Sequence, residues 1–212
     1  PLRRQRQMCI RDSTNIALFG LDNRGSGDYD TGNSDAILIA SINNENKEVR
    51  LVSVYRDTYL SIGDGKYYKC NSAYERGGAK QAVQMLNSNL DLDIKDYVSV
   101  DWGALVETID DLGGIDIEVT PEEVDKINEY TVEIVMMTGK DTTTLTESGL
   151  VHLDGTQATS YARIRKLAGD DYMRTARQRI VLQAMLEKAQ KADIGTLNKV
   201  CNDCLLYTSP SP

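Results

Sequence analysis

Asn15–Gly20 reads NIALFG and Ala36–Ile42 reads AILIASI. Both apolar runs are shorter than a typical buried helix and are bounded by turn-forming residues, so both are expected as buried strands. Between them, Leu21–Ser34 is dense in Gly, Asp, Asn and Ser, the composition of a loop at a strand's carboxyl end. Val49–Val54 (VRLVSV) is expected as a third strand, joined to the second by the turn-rich Asn43-Asn44-Glu45-Asn46 in a hairpin. Further out, Ala79–Asn87 has helical spacing, with Ala82, Val83 and Leu86 on one face and Gly77-Gly78 ahead of it. Asp96–Trp102 (DYVSVDW) alternates as a strand, Leu105–Leu112 reads as a helix stopped by Gly113-Gly114, and Ile115–Val119 alternates again. Strands interleaved with helices predict an α/β layered domain rather than a bundle or a sandwich. Thr120–Ser148 is polar and low in Gly, and is expected as a surface insertion. His152–Tyr161 reads as a turn and a short helix, and Asp171–Lys191 as the clearest helix of the chain.

With 212 residues, 41% of them hydrophobic and 26% charged, the chain has the composition of one well-cored domain, far from that of a disordered segment. The ends read differently. Pro1–Ser13 and Cys204–Pro212 show no periodicity, and Gln7–Ser13 and Cys204–Ser209 can be encoded by DNA strings that are reverse complements of each other. Residues 1–13 and 204–212 are therefore read as sequencing-adaptor artefacts, and 14–203 as the domain, truncated on both sides. The net charge is −8, and the excluded ends hold four arginines against one aspartate, so the remainder is more acidic still. That balance argues against a nucleic-acid partner, which calls for a basic surface. Only Cys70 and Cys201 lie outside the ends, and two unclustered thiols make neither a disulfide framework nor a metal site. A single histidine, His152, argues against a His-rich zinc centre and is read as structural. No apolar run is long enough to span a bilayer.

The chemistry-bearing residues are mostly arginines. In the C-terminal helix Arg174 and Gln178 fall at i and i+4, on the line continued by Val181 and Met185, with Arg177 beside them. A first-turn cluster aimed inward at a helix N-terminus suits an anion; the alternative is a solvated turn with Arg174 paired to Asp170 or Asp171. Upstream, Tyr161–Lys166 reads YARIRK; if extended, it projects Arg163 and Arg165 to one side, as a phosphate-binding pair or as a charged edge strand. Arg56 and Asp57 sit where the third strand runs into a loop, a usual place for ligand groups in α/β sheets, although they could simply pair with each other. Asp22, Arg24 and Asp35 flank the first loop. Two carboxylates near arginine-held phosphates suit magnesium, which takes one or two carboxylates plus phosphate oxygens.

The segments LDNR, SDAILIASIN, VSVYRDT, NSAYERGG, VDW, DDLGGIDIEV, HLDGTQATSYARIRK and DDYMRTARQR, in this order over nearly all of 14–203, resemble the LytR-CpsA-Psr family. The resemblance implies an α/β/α layered domain around a central mixed sheet and an extracytoplasmic, membrane-anchored phosphotransferase whose anchoring N-terminal helix lies outside this fragment. Such an enzyme transfers a glycan phosphate from a polyprenyl-pyrophosphate carrier to a peptidoglycan sugar hydroxyl, with Mg2+ as cofactor and no nucleic acid involved. By motif match Arg56, Arg163, Arg165, Arg174, Arg177 and Gln178 form the pyrophosphate-binding set, and Asp22 and Asp35 the metal set. Arg24 and Asp57 support them, and the catalytic group is Asp22, Asp35, Arg56, Arg163 and Arg165. Two positions depart from the family pattern: Tyr55 stands where proline is common, and Trp102 where phenylalanine is usual, a change assigned to packing. The competing functions are a prenyl pyrophosphate hydrolase and a non-enzymatic lipid-pyrophosphate-binding regulator.

Overall fold

In a computed structural model, which describes residues 13–22, 33–63, 65–165 and 170–205, the two apolar runs that open the chain pair with each other. Strand β1 (Ser13–Leu21) lies antiparallel to β2 (Ser34–Asn43), with Ala17 opposite Ile39 and Phe19 opposite Ile37. The expected hairpin carries β2 into β3 (Val49–Ser53), with Ala40 opposite Leu51. With β6 (Asp96–Val100) they form a sheet in the order β3-β2-β1-β6. Of the described residues, those before Val100 make one compact unit and those from Val100 onward a second.

The first unit also holds a hairpin not foreseen in the sequence, β4 (Tyr59–Gly63) with β5 (Lys66–Lys69), and helix α1 (Ser72–Leu90). The helix begins seven residues before the expected segment and kinks at Gly77-Gly78, where Gly78 at φ +63°, ψ −165° adopts a backbone that a side chain resists. Its buried Ala82, Met85 and Leu86 pack with Phe19, Leu21, Ile37 and Ile39 of the sheet. Each such side chain contributes roughly 1.5–3 kcal/mol by leaving water.

The second unit contains α2 (Trp102–Asp111), β7 (Ile115–Val119), α3 (Pro121–Thr138), β8 (Gly149–Leu153), α4 (Gly155–Arg163), α5 (Asp170–Lys191) and α6 (Ile194–Leu205). Strands β7 and β8 pair antiparallel. Its core joins Ile109, Ile115, Ile127, Leu153, Ala158, Tyr161 and Val181. The α/β class thus holds. Several local expectations do not.

Thr120–Ser148 is not a surface insertion. Thr120 accepts from the Glu123 backbone amide while the Glu123 side chain accepts from the Thr120 amide, a capping box with Pro121 in the first turn, and α3 buries Val124, Ile127 and Ile134. The rest of the segment is pinned: Asn128 makes two hydrogen bonds with the Leu145 backbone, and Gln157 donates to Thr143 O at 2.9 Å. His152 belongs to β8, where its Nδ1 lies 2.7 Å from Asp116 Oδ1 across the strand pair, a structural role as expected. Trp102 opens α2 instead of ending a strand, because Asp101 caps the helix by accepting from Ala104 N at 2.8 Å.

YARIRK is not extended either. Asp154 and Gln157 make a second capping box, and α4 runs on through Arg163, so Arg163 is buried and Arg165 exposed, not two residues of one strand face. Gly155 allows this helix its place: a Cβ there would come within 2.1 Å of Val106 O on α2. In α5, Val181 is buried and its neighbour Ile180 exposed.

Glu123 ties these pieces together, since its second carboxylate oxygen accepts from Arg177 Nε of α5 at 2.8 Å. Glu123→Ala removes the cap and leaves a buried guanidinium uncompensated; the expected loss is about 3–5 kcal/mol, against about 1 kcal/mol for Thr120→Ala, both measured by urea unfolding. Equal effects of the two variants would show that the Arg177 pair contributes nothing.

Candidate functional site

In the first unit the carboxylates sit at one end of the β1–β2 pair. Asp22 follows β1, its amide donating to Asn33 O at 3.3 Å, and Asp35 is the second residue of β2. Arg24 lies outside the described residues. Arg56 sits in the turn after β3, where Nη1 reaches both Asp35 oxygens at 3.0 Å and Nε lies 3.6 Å from Asp57 Oδ2. Asp57 in turn pairs with Lys69 Nζ at 2.5 Å. Arg56 therefore joins Asp35 across the sheet as well as its sequence neighbour. Among the described residues no three His, Cys, Asp or Glu side chains cluster as a metal site. Two carboxylates at one strand end still fit a hard cation that completes its shell with phosphate oxygens and water, as magnesium does.

The turn that carries Arg56 is fixed from below. Thr58 N donates to Tyr55 O, Cys70 N to Thr58 O and Asn71 N to Arg56 O. The Cys70 thiol, 0% exposed, lies 3.1 Å from Tyr55 O and 3.3 Å from Arg56 O. Burial pushes its pKa up to about 11, so it stays a neutral donor at physiological pH.

In the second unit three of the arginines are buried. Arg163 is 9% exposed, Arg174 4% and Arg177 3%. A guanidinium is seldom taken from water without a partner. Arg177 has Glu123, itself 7% exposed, and lies 5.9 Å from the Tyr161 ring. Arg163 Nη2 donates to Glu133 Oε1 of α3 at 3.0 Å, and its guanidinium lies 5.0 Å from the centre of the Trp102 ring. Its Nη1 is buried and makes no hydrogen bond among the described residues. Gln178 is half-buried on the same helix as Arg174. Burial of Arg174 and Arg177 excludes the solvated first turn. The side chains of Asp170 and Asp171, the other proposed partners of Arg174, lie outside the described residues.

Sequence reasoning missed Glu123, Glu133 and Trp102, the groups that hold these arginines. For Glu123 the capping-box spacing was a usable signal. Glu133 and Trp102 meet Arg163 only through the packing of α2, α3 and α4, which no local pattern announces.

The first unit thus places two carboxylates at a strand end, and the second buries three guanidiniums within an α/β fold. The chain belongs to the LytR_cpsA_psr family, whose model matches residues 3–209. It is 34% identical over 203 residues to the polyisoprenyl-teichoic acid–peptidoglycan teichoic acid transferase TagU of Enterococcus faecalis, covering 95% of this chain and 60% of that protein. It is 30% identical over 185 residues to the corresponding TagV of Bacillus subtilis, covering 83% of this chain and 45% of the relative. The chain thus spans roughly half to three-fifths of the length of these curated relatives. Among solved structures it is similar to B. subtilis TagV, with a TM-score of 0.72 and 26% identity over 93% of this chain and 73% of that one. It also shares the fold of a LytR-CPS2A-psr family protein, YwtF (TagT), solved with bound octaprenyl pyrophosphate lipid, at a TM-score of 0.68 and 24% identity over 92% and 74% of the two chains.

The Cys70 thiol gives a test of the Arg56 turn. An unfolded thiol ionises near about 8.5, below the folded value of about 11, so the folded state keeps the proton longer. The stability linked to this group is intact below the unfolded value and declines as pH rises through the folded one. Cys70→Val is expected to flatten the fall in melting temperature between about pH 8.5 and 11 relative to the parent. Parallel curves for the two proteins would show that the thiol is not the titrating group.

Proposed function

We propose that this chain is the catalytic domain of a phosphotransferase that moves a glycan phosphate from a polyprenyl-pyrophosphate carrier to a sugar hydroxyl of peptidoglycan. The observation that carries the reading is Arg163, a buried guanidinium with one terminal nitrogen lacking a hydrogen-bond partner among the described residues. The relatives support it through their naming as teichoic acid transferases.

In the second unit the pyrophosphate-binding set is Arg163, Arg165, Arg174 and Gln178, with Arg177 held by Glu123 as scaffold; in the first unit Arg56 is the phosphate-binding arginine, with Asp57 and Arg24 supporting. In the reaction the acceptor hydroxyl oxygen attacks the glycan-bearing phosphorus in line. The bond from that phosphorus to the bridging oxygen breaks, and the polyprenyl phosphate leaves with the electron pair. Either Asp22 or Asp35 takes the hydroxyl proton. Arginine forks neutralise the charge that builds on the phosphate oxygens, which is the main demand of phosphoryl transfer. Magnesium, held through Asp22 and Asp35, would supply charge neutralisation of phosphate oxygens. The substrates place the reaction on the extracytoplasmic face, with membrane attachment through a segment outside these 212 residues. Among the described residues no helix is long and apolar enough to cross a membrane.

The test is incubation with a polyprenyl-pyrophosphate-linked glycan and soluble peptidoglycan, following coupled product and released polyprenyl phosphate. Arg163→Ala is expected to lower transfer roughly 10²–10³-fold, and Arg163→Lys to restore only part of it, since an ammonium lacks the bidentate fork. Release of polyprenyl phosphate without coupled product would make the protein a hydrolase, and binding without turnover a regulator.

Asp22→Ala and Asp35→Ala are expected to weaken magnesium binding in the presence of a prenyl pyrophosphate, read by calorimetric titration. Unchanged affinity in both would remove them from the metal site.

A further inference from the structure

Arg163 rests on an aromatic face, and the choice of support has a chemical consequence. A carboxylate placed under a guanidinium holds it by cancelling its charge. An indole ring attracts the cation through its quadrupole and leaves the net charge intact for an incoming anion. The guanidinium lies 5.0 Å from the Trp102 ring centre, and its ion pair to Glu133 involves a carboxylate that is itself nearly half exposed and therefore screened. Nη1, buried and without a hydrogen bond among the described residues, is the atom left to meet a ligand.

The support is rigid. Trp102 is the first residue of α2, whose start is fixed by the Asp101 cap. Helix α4, which carries Arg163 at its end, is locked to α2 by the bond from Gly155 N to Asp110 Oδ1 at 2.7 Å and by the close approach of Gly155 to Val106 O. Ring and guanidinium therefore belong to two helices held in one register.

We propose that Trp102 is a positioning residue for Arg163, fixing the plane of its guanidinium so that Nη1 faces a phosphate oxygen of the bound pyrophosphate. The inference rests on the pyrophosphate-binding role given to Arg163 above. It replaces the packing role expected for Trp102 from the sequence.

Because Trp102 is the one tryptophan of the chain, indole emission reports on the surroundings of this side chain. The experiment titrates the 212-residue protein and three variants, Trp102→Phe, Trp102→Leu and Arg163→Ala, with geranyl pyrophosphate. Calorimetry gives affinity, indole emission gives the local signal, and a melting curve for each protein shows that it is folded. The double variant Trp102→Leu/Arg163→Ala closes the cycle. Wild-type emission is expected to change on titration. Trp102→Leu should weaken binding roughly 3- to 30-fold and Trp102→Phe less, since its ring keeps a weaker quadrupole. In the Arg163→Ala background Trp102→Leu should cost nothing further. Where Trp102→Leu does not fold, Trp102→Phe and the wild-type emission decide: an affinity unchanged by Phe together with a silent indole overturns the proposal. A Trp102→Leu loss that persists undiminished without Arg163, or no loss at all, overturns it too while leaving the pyrophosphate reading in place. Arg163→Ala binding with wild-type affinity would instead remove Arg163 from the pyrophosphate site, and this inference with it.

Discussion

The Glu123 carboxylate is shared between two structural demands. One oxygen accepts the Thr120 amide and closes the first turn of α3; the other accepts Arg177 Nε and fixes the early part of α5. Four backbone amides at a helix start need partners, and a buried guanidinium needs a counter-charge; here one side chain answers to both. Arg174, three residues before Arg177 on the same helix, takes its place relative to α3 from that contact. A buried ion pair is a weak source of net stability, because desolvating two charges offsets most of their attraction. Its value here is placement.

The two units handle cationic side chains by different means. In the first, Arg56 faces both oxygens of Asp35 and lies near Asp57, whose charge is shared with Lys69. That group is close to charge-balanced and partly exposed, and solvent screens what remains. In the second, burial raises the stakes, and two of the buried guanidiniums are matched by specific groups, Arg177 by Glu123, and Arg163 by Glu133 with the Trp102 ring. An anion arriving at the second group meets charge already stripped of water, where electrostatic attraction is least attenuated.

Legibility from sequence followed the range of the interactions. NIALFG and AILIASI announced themselves because contiguous apolar residues can do little but pair and bury, whereas VRLVSV, only partly buried, was legible through the turn-rich Asn43–Asn46 ahead of it. Helix α3 did not, because Val124, Ile127 and Ile134 are scattered among charges and the segment's average polarity hides them; the Thr120–Glu123 box was the signal that outweighed it. The β4–β5 hairpin was invisible because every residue of β5 is exposed, leaving no alternation to read. In YARIRK the R-x-R spacing mimicked a strand face, whereas the capping box at Asp154 and the buried Ala158, Tyr161 and Ala162 drive a helix through Arg163. The candidate site residues were singled out by type, arginines and aspartates at strand and helix ends, but their contacts come from elements distant in sequence.

Helix α3 follows from this as more than a misread segment. Two carboxylates that hold buried arginines in the second unit, Glu123 and Glu133, stand on it, one in its first turn and the other further along. Arginines gathered in a water-poor region repel one another, so the unit would lose stability in proportion to their burial unless negative charge came with them. Glu123 is sealed in beside Arg177, whereas Glu133 stays nearly half exposed and is correspondingly weaker as a partner. The same helix thus fully compensates one arginine and only partly compensates the other. Arg177 is thereby held as a fixed part of the scaffold, and Arg163 keeps the charge that a phosphate would meet.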